Sequence, residues 1–108
     1  MQAATHTQDK VEWSLSPAQD HVRERIYSGR KETVLLTVTV QNPIPPSGAA
    51  KVELLVNGAA TPNGVLDKRN AVTSRTWLLF GVKTLDLVTK GKVYCSGEYA
   101  ISVTEGPV

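Results

Sequence analysis

The residues of this chain that could do chemistry are two histidines, His6 and His21, and one cysteine, Cys95. Neither histidine has a second histidine, a cysteine or a pair of acids at the spacing of a metal site. A single thiol can neither close a disulfide within the chain nor build a zinc site. Catalysis requires titratable groups that converge in a pocket, and the sequence offers no such cluster. We therefore expect no catalytic residue, no metal, no cofactor and no small-molecule substrate, and we predict that the chain is not an enzyme.

Three side chains allow both a structural and a functional interpretation. Trp13 and Trp77 could be stacking platforms for a sugar, but tryptophans on alternating strands are more often anchors of a core or an interface. Cys95 follows Tyr94 in a predicted strand, where a lone cysteine is usually a small buried apolar residue. The alternative is that Cys95 is an intermolecular thiol, because an odd cysteine can pair between chains.

The element that must position these residues is a strand predicted at residues 33–41. It is β-branched or apolar at nearly every position, contains no glycine, and is followed by Pro43, Pro45 and Pro46. This composition is typical of a strand that is buried deeply in a sheet, even on both faces. The other strands are expected to cover it.

Further strand patterns recur about every ten residues, which is typical of a β-sandwich. They fall at residues 10–15, 51–57, 65–70, 73–80, 85–89, 93–95 and 98–104. The sequence therefore predicts an all-β fold in which two sheets pack as a β-sandwich or jelly roll. Residues 16–29 are ambiguous: Ser16, Pro17 and Gly29 favour a capped helix, whereas the all-β context favours a loop followed by a strand. In the strand alternative Glu24 would point inward.

The bulk properties limit the classes of partner. At 108 residues the chain is expected to form one domain. Its net charge of +2, with both signs scattered, predicts no nucleic-acid partner. No apolar run approaches the roughly 18 residues of a membrane span, and residues 1–10 lack the apolar core of a secretory signal. We expect a protein that is made without a signal peptide.

Residues 1–9 are predicted to form a flexible N-terminal arm, residues 10–106 the single β-sandwich domain, and residues 107–108 a tail. Nine extended residues reach about 30 Å, close to the roughly 34 Å diameter of a domain of this size. The arm could therefore reach a neighbouring subunit and pair with an exposed sheet edge. A head-to-tail contact of that kind does not close and builds filaments or rings. The alternative is an unattached terminus.

Three short runs resemble the endospore-appendage pilins of spore-forming bacteria: QDKV at 8–11 followed by Trp13, LLVNG at 54–58, and GEYAI at 97–101. The resemblance implies a jelly-roll subunit whose sheets augment laterally between subunits, with the arm as a connector that docks into subunits further along a helical fibre. It implies a self-assembling structural subunit of an extracellular pilus or appendage, located on the cell or spore surface after assembly, whose partner is itself. We assign assembly to the arm and its junction with the first strand, at Gln2, Thr5, Thr7, Gln8, Asp9, Val11 and Trp13.

The connector departs from that family in one respect. The family's pilins carry connector cysteines that cross-link to the sandwich, and residues 1–13 contain no cysteine. Five main-chain hydrogen bonds at about 1 kcal/mol each barely offset the ordering of five residues at about 1–2 kcal/mol each. An arm of this composition can tether subunits but cannot hold them together alone, so we hypothesise a non-covalent fibre. Two other classes stay open: a phage or virion structural protein, such as a decoration or tail component, and a sugar- or protein-binding module.

Overall fold

The computed structural model describes residues 4–42, 51–67, 74–89 and 94–105, and within them it is almost entirely β-strand. The strands are β1 (Ala4–Leu15), β2 (Arg23–Asn42), β3 (Lys51–Val56), β4 (Ala59–Asp67), β5 (Ser74–Thr89) and β6 (Cys95–Glu105). A 3₁₀ turn, η1 (Pro17–Gln19), lies between β1 and β2. Every strand pair is antiparallel, and the strand order is β1-β6-β2-β5-β3-β4.

The sheet folds over itself because β2 and β5 each take part in two ladders. The later part of β2 pairs with β6 and with the first part of β5, whereas residues 23–28 of β2 pair with residues 84–88 of β5. We define layer one as β1, β6, residues 33–42 of β2 and residues 74–80 of β5. Layer two is β3, β4, residues 23–28 of β2 and residues 84–89 of β5. Eight strand segments in two four-stranded antiparallel layers are a jelly roll, so the predicted fold class is confirmed.

The two layers are joined at a fold line where β2 and β5 pass from one to the other. There β2 contributes a bulge of three residues, 29–31, and β5 bends at Gly81, whose φ of 65° favours glycine. The side chain of Asn57 holds the bend: its Oδ1 accepts the N–H groups of Lys83 and Thr84 at 2.7 and 3.1 Å, and its Nδ2 donates to the Gly81 carbonyl at 3.0 Å. The Asn-Gly pair that predicts a turn after β3 therefore also fixes the fold line.

The core lies between the layers. Val34, Leu36 and Val38 of β2 are fully buried on its inner face. Trp13 of β1 and Leu66 of β4 come from opposite ends of the strand order, yet both are buried in the same core cluster. This burial requires the two layers to face each other. Each large apolar side chain that is fully buried between them contributes about 1.5–3 kcal/mol to folding.

The central strand, residues 33–41, is buried on one face only, so the expectation of burial on both faces is wrong. Leu35 on the outer face is 47% exposed, between Val34 and Leu36, which are fully buried. The reason is that the described residues contain no helix or further strand that covers the outer face of layer one.

Residues 16–29 are a turn followed by a strand, and the helical alternative is wrong. The Ser16 side chain makes no capping hydrogen bond, and its N–H donates instead to the His21 carbonyl at 2.7 Å. The inward orientation of Glu24 that the strand requires is accommodated because its Oε2 accepts the N–H of Ser14 at 3.1 Å. This hydrogen bond links the β2 edge of layer two to the β1 edge of layer one.

β1 begins at Ala4, whereas the sequence predicted a first strand from residue 10. Residues 4–8 pair with residues 101–105 of β6, and the ladder continues from Val11 after a register shift in which Lys10 has a φ of 57°. For residues 4–9 a strand therefore replaces the predicted flexible arm, because β6 offers this segment unpaired backbone groups. Residues 1–3 and the predicted tail, residues 107–108, lie outside the described residues.

Candidate assembly surfaces

The predicted assembly residues of the arm lie along one paired strand. Thr5 is opposite Thr104 in the ladder, and the exposed Thr7 places its Oγ1 3.4 Å from Ser102 Oγ on the outer face of layer one. Gln2 lies outside the described residues. The structure thus brings the described part of the arm onto β6 of its own chain.

The junction residues surround the β1 bulge. Gln8 is the last residue before it, Asp9 is exposed within it, and Val11 resumes the ladder opposite Tyr99, where Val11 is half-buried. The bulge separates the β1 ladder into two pairings, residues 4–8 before it and residues 11–15 after it.

Trp13 is a core residue. It is 2% exposed, and its Nε1 donates to the Glu98 carbonyl at 3.2 Å. Trp77 is 7% exposed, and its Nε1 donates to the Asn63 carbonyl at 3.2 Å. The core interpretation of both tryptophans is confirmed, because neither ring is open for stacking.

Cys95 is fully buried opposite Leu15. Burial raises the pKa of its thiol, although a hydrogen bond with Thr89 acts in the opposite direction. The buried, protonated thiol is a poor nucleophile. In the folded chain the Cys95 thiol, the candidate for an intermolecular disulfide, is therefore inaccessible to other chains.

The layers have four outer edges, and two of them are closed. On β1, the N–H of Ser14 is bound by Glu24 and the N–H of Ser16 by the His21 carbonyl, so further strand addition is obstructed there. β4 carries Pro62, which has no N–H to offer a new strand, and the next residue, Asn63, has a φ of 57°. Bulges, prolines and covered backbone groups are the usual protection of edge strands.

The other two edges differ from these: residues 74–79 of β5 pair with β2 without a register shift, whereas residues 23–28 of β2 contain one between Arg25 and Tyr27. Among the described residues, no strand pairs with the free side of residues 74–80 of β5 or of residues 23–28 of β2. The first edge belongs to layer one and lies beside β4, since Arg75 Nη1 donates to the Asn63 carbonyl at 2.6 Å. The second belongs to layer two and lies beside β1, through Glu24. The two open edges are therefore on opposite sides of the sandwich.

The β5 edge also carries exposed apolar side chains. On its outer face Leu78 is 58% and Phe80 71% exposed, and Leu35 of the neighbouring strand lies directly opposite Leu78. An unpaired edge with exposed apolar side chains is the kind that pairs with another chain. The apolar run TWLLF at 76–80 predicts the strand, but which side of it stays open depends on the topology.

The β2 edge is stabilised by a buried carboxylate. Asp86 of β5 is 1% exposed; it accepts hydrogen bonds from Arg23 Nη2 at 2.8 Å and from Arg25 Nε and Nη2 at 3.0 and 3.3 Å. Burial raises the pKa of Asp86, but the hydrogen bonds and charges of Arg25 and Arg23 outweigh it and lower the pKa overall. Sequence reasoning missed this group. Its only signal was a single acid between two leucines at 85–87 and two arginines at alternate positions 23 and 25.

Within residues 4–42, 51–67, 74–89 and 94–105, no group of three or more histidine, cysteine, aspartate or glutamate side chains is placed to hold a metal ion. The same stretches contain no helix of the length and apolarity that a membrane crossing requires.

Comparison with known proteins gives a fold but no family. No family model matches the chain, and no curated protein matches it by sequence. Among solved structures, it is similar to a subunit of the Bacillus endospore appendages, described as disulfide-linked pili, with a TM-score of 0.62 and 11% identity over 100% of this chain and 93% of the other. It is also similar to a protein of the acid-stable capsid of Helicobacter pylori bacteriophage KHP30, with a TM-score of 0.54 and 10% identity over 94% of this chain and 93% of the other. At these identities the likeness shows the shared fold alone.

Proposed function

We propose that this protein is a non-enzymatic structural subunit that assembles with copies of itself into an extracellular fibre of the pilus or appendage kind. The observation that carries the proposal is the pair of open edges in different layers and on opposite sides of the sandwich. Residues 74–80 of one subunit would add to residues 23–28 of the next, so that layer one of one copy continues into layer two of its neighbour. Because the two edges differ, the contact is head to tail and leaves a free edge at each end of the growing assembly.

The N-terminal segment would add a second link between subunits. Residues 4–8 form five ladder pairs with β6 of their own chain. At about 1 kcal/mol for each hydrogen bond, against about 1–2 kcal/mol for ordering each residue, this pairing is nearly balanced. The segment before the β1 bulge can therefore exchange its own β6 for a neighbouring subunit at little cost, which is how a connector would work. Gln2, Thr5, Thr7, Gln8 and Asp9 are the proposed contact residues.

The assembly we propose is non-covalent and would lie on a cell or spore surface. Cys95 is buried, and residues 1–13 carry no cysteine, so a cross-link of the kind in disulfide-linked pili has no exposed thiol to use among the described residues. Adhesion would depend on backbone pairing at the open edges and on burial of Leu78 and Phe80.

Negative-stain electron microscopy of the purified chain tests the proposal. The wild type should form fibres, and a chain lacking residues 1–9 should form shorter fibres or none. Leu78→Lys should abolish them, because a lysine on an edge strand opposes strand addition. Val65→Lys is the matched control: it also replaces an exposed apolar side chain by lysine, but on the closed β4 edge, and should leave fibres intact. Single particles of uniform size from the wild type at all concentrations would refute the proposal.

A second candidate is a virion structural protein, such as a decoration or tail component. The observation that favours it is the shared fold with the phage capsid protein. It predicts a chain that stays monomeric alone and binds a preformed capsid or tail. Co-sedimentation with such particles, without self-assembly, would decide for this candidate.

A further inference from the structure

Three cationic residues lie close together along the ladder at the fold line. The β2 bulge at residues 29–31 carries Arg30 and Lys31, and within the same stretch of ladder β5 contributes only Lys83. All three are exposed, and none forms an ion pair with another described residue. Glu32 is the nearest acid in the chain, and its carboxylate already accepts the backbone N–H of Arg30. We call Arg30, Lys31 and Lys83 the basic corner.

A small acidic pocket lies elsewhere on layer one. It is a cavity of about 180 Å³ beside the β1 bulge, with Asp9 and Glu98 in its lining together with Lys10 and Gln41. Gln41 Nε2 donates to Glu98 Oε1 at 2.7 Å, which leaves Oε2 without a donor among the described residues. The pocket is lined by two carboxylates and has room for the end of one cationic side chain.

The charges around this pocket are unfavourable within a single chain. Glu12 of β1 lies directly opposite Glu98 of β6, and like charges at opposed positions destabilise a sheet. The lining of the pocket holds Asp9 and Glu98 against Lys10, so the pocket is locally negative, whereas the basic corner against Glu32 is locally positive. The chain thus carries two patches of opposite local charge.

The two patches cannot meet within one molecule. The basic corner is at the fold line, near the end of layer one where Thr33 pairs with Thr104. The acidic pocket is toward the other end, where Glu12 pairs with Glu98 and Thr39 also pairs with Glu98. A contact between different patches on two identical chains is heterologous, so it propagates in one direction.

We propose that the basic corner of one copy inserts a cationic side chain, Lys83 foremost, into the acidic pocket of a second copy. This contact rests on the proposed self-assembly, but it uses neither the open edges nor the N-terminal segment. It would set the direction in which copies add and speed their encounter, since complementary charges steer association more than they hold a complex together.

A second copy fits these observations better than a polyanion. The whole chain has a net charge of only +2, the three cations of the basic corner lie on one short stretch of the ladder, and the same chain supplies an acidic counterpart. Nucleic-acid and other polyanion sites usually have a wider basic surface.

The test measures the rate of assembly by light scattering and sedimentation, in about 50 mM and in about 500 mM salt. Exposed charges are screened much more strongly at the higher salt concentration. Lys83→Gln should slow the assembly of the full chain about tenfold at low salt. Gln19→Glu is the control with the same change in net charge, at an exposed position on the η1 turn, and should change the rate less than about twofold. Lys83→Glu and Glu98→Lys should each slow assembly further.

The double variant Lys83→Glu with Glu98→Lys restores opposite charges at every interface, and its rate should return to within about threefold of wild type. A double variant as slow as its parents, or Lys83→Gln that matches Gln19→Glu, would overturn the contact while leaving the proposed fibre standing. Binding of heparin that Lys83→Gln abolishes, with assembly unchanged, would assign the corner to a polyanion and also overturn it. A wild type that stays monomeric at both salt concentrations would remove the proposed function and this contact together.

Discussion

Replacing Asp86 by asparagine should destabilise the fold by about 2 kcal/mol at neutral pH. The carboxylate is 1% exposed and receives three guanidinium hydrogen bonds at 2.8, 3.0 and 3.3 Å. Hydrogen bonds to charged groups contribute about 1.5–3 kcal/mol each, but Arg23 and Arg25 are 49% and 52% exposed. Water can therefore replace part of the hydrogen bonding that the guanidinium groups lose. This brings the expected loss of folding free energy down to about 2 kcal/mol.

The effect should depend on pH in a defined direction. Arg25 and Arg23 lower the pKa of Asp86 below its ordinary value, against the opposing effect of burial. A carboxyl whose pKa is lowered in the folded state stabilises the fold above its unfolded pKa and loses that contribution as the pH falls through the folded pKa. The difference between wild type and Asp86→Asn should therefore be constant near neutral pH and shrink from about pH 4 downward.

Urea unfolding of both proteins from pH 7 to pH 2 measures this difference. Asp20→Asn is the control, because Asp20 is exposed and its φ of 59° is one that asparagine also adopts. It should change the free energy of unfolding by less than about 0.5 kcal/mol. An Asp86→Asn protein as stable as wild type at pH 7, or a difference that persists unchanged at pH 2, would refute the account of this buried ion pair.

Three further predictions concern single residues. Gly97→Ala should destabilise the fold by about 3 kcal/mol in urea unfolding, because the added Cβ would lie 1.9 Å from the Thr39 carbonyl oxygen; a fully stable variant would contradict the packing. Asn57→Gly keeps the positive φ of 55° but removes the side chain that binds the backbone of Gly81, Lys83 and Thr84, and it should lower the free energy of unfolding by about 1–2 kcal/mol; an unchanged urea midpoint would contradict this. Cys95, fully buried with a raised pKa, should react with iodoacetamide at least about a hundredfold faster in urea than in buffer, and dithiothreitol should leave fibres intact. Equal alkylation rates, or fibres that dissolve in reductant, would contradict the buried-thiol account and the non-covalent assembly respectively.

The fold class could be predicted from the alternation of apolar and polar side chains, because a period of two residues follows from strand geometry alone. Val34, Leu36 and Val38 are on one face of β2 and Leu35 on the other, as that period requires. The Asn57-Gly58 pair marks the described turn between β3 and β4 for the same local reason. Trp13 and Trp77 were predicted to be core residues from their type and their strand context.

Pairing between distant strands could not be predicted from local patterns. The N-terminal residues 4–9 have few large apolar side chains, so nothing local indicated that β6 would take them as a partner. Residues 16–29 carry helix-capping residues, but the pairing of residues 23–28 with β5 and the hydrogen bond from the Ser14 N–H to Glu24 overrode them. In both cases the deciding free energy comes from contacts that the local sequence does not contain.

By itself the sequence determined an all-β domain, its approximate strand positions and the absence of any motif for catalysis, because these follow from residue type and short spacing. Only the tertiary structure decided which edges are open, which charges meet at the fold line, and that Asp86 is buried between two arginines. Those properties arise where residues far apart in the chain become neighbours, at 23–25 and 86 or at 29–31 and 83. An assembly surface is made of such neighbours, so it becomes visible only once β2 and β5 have folded across both layers.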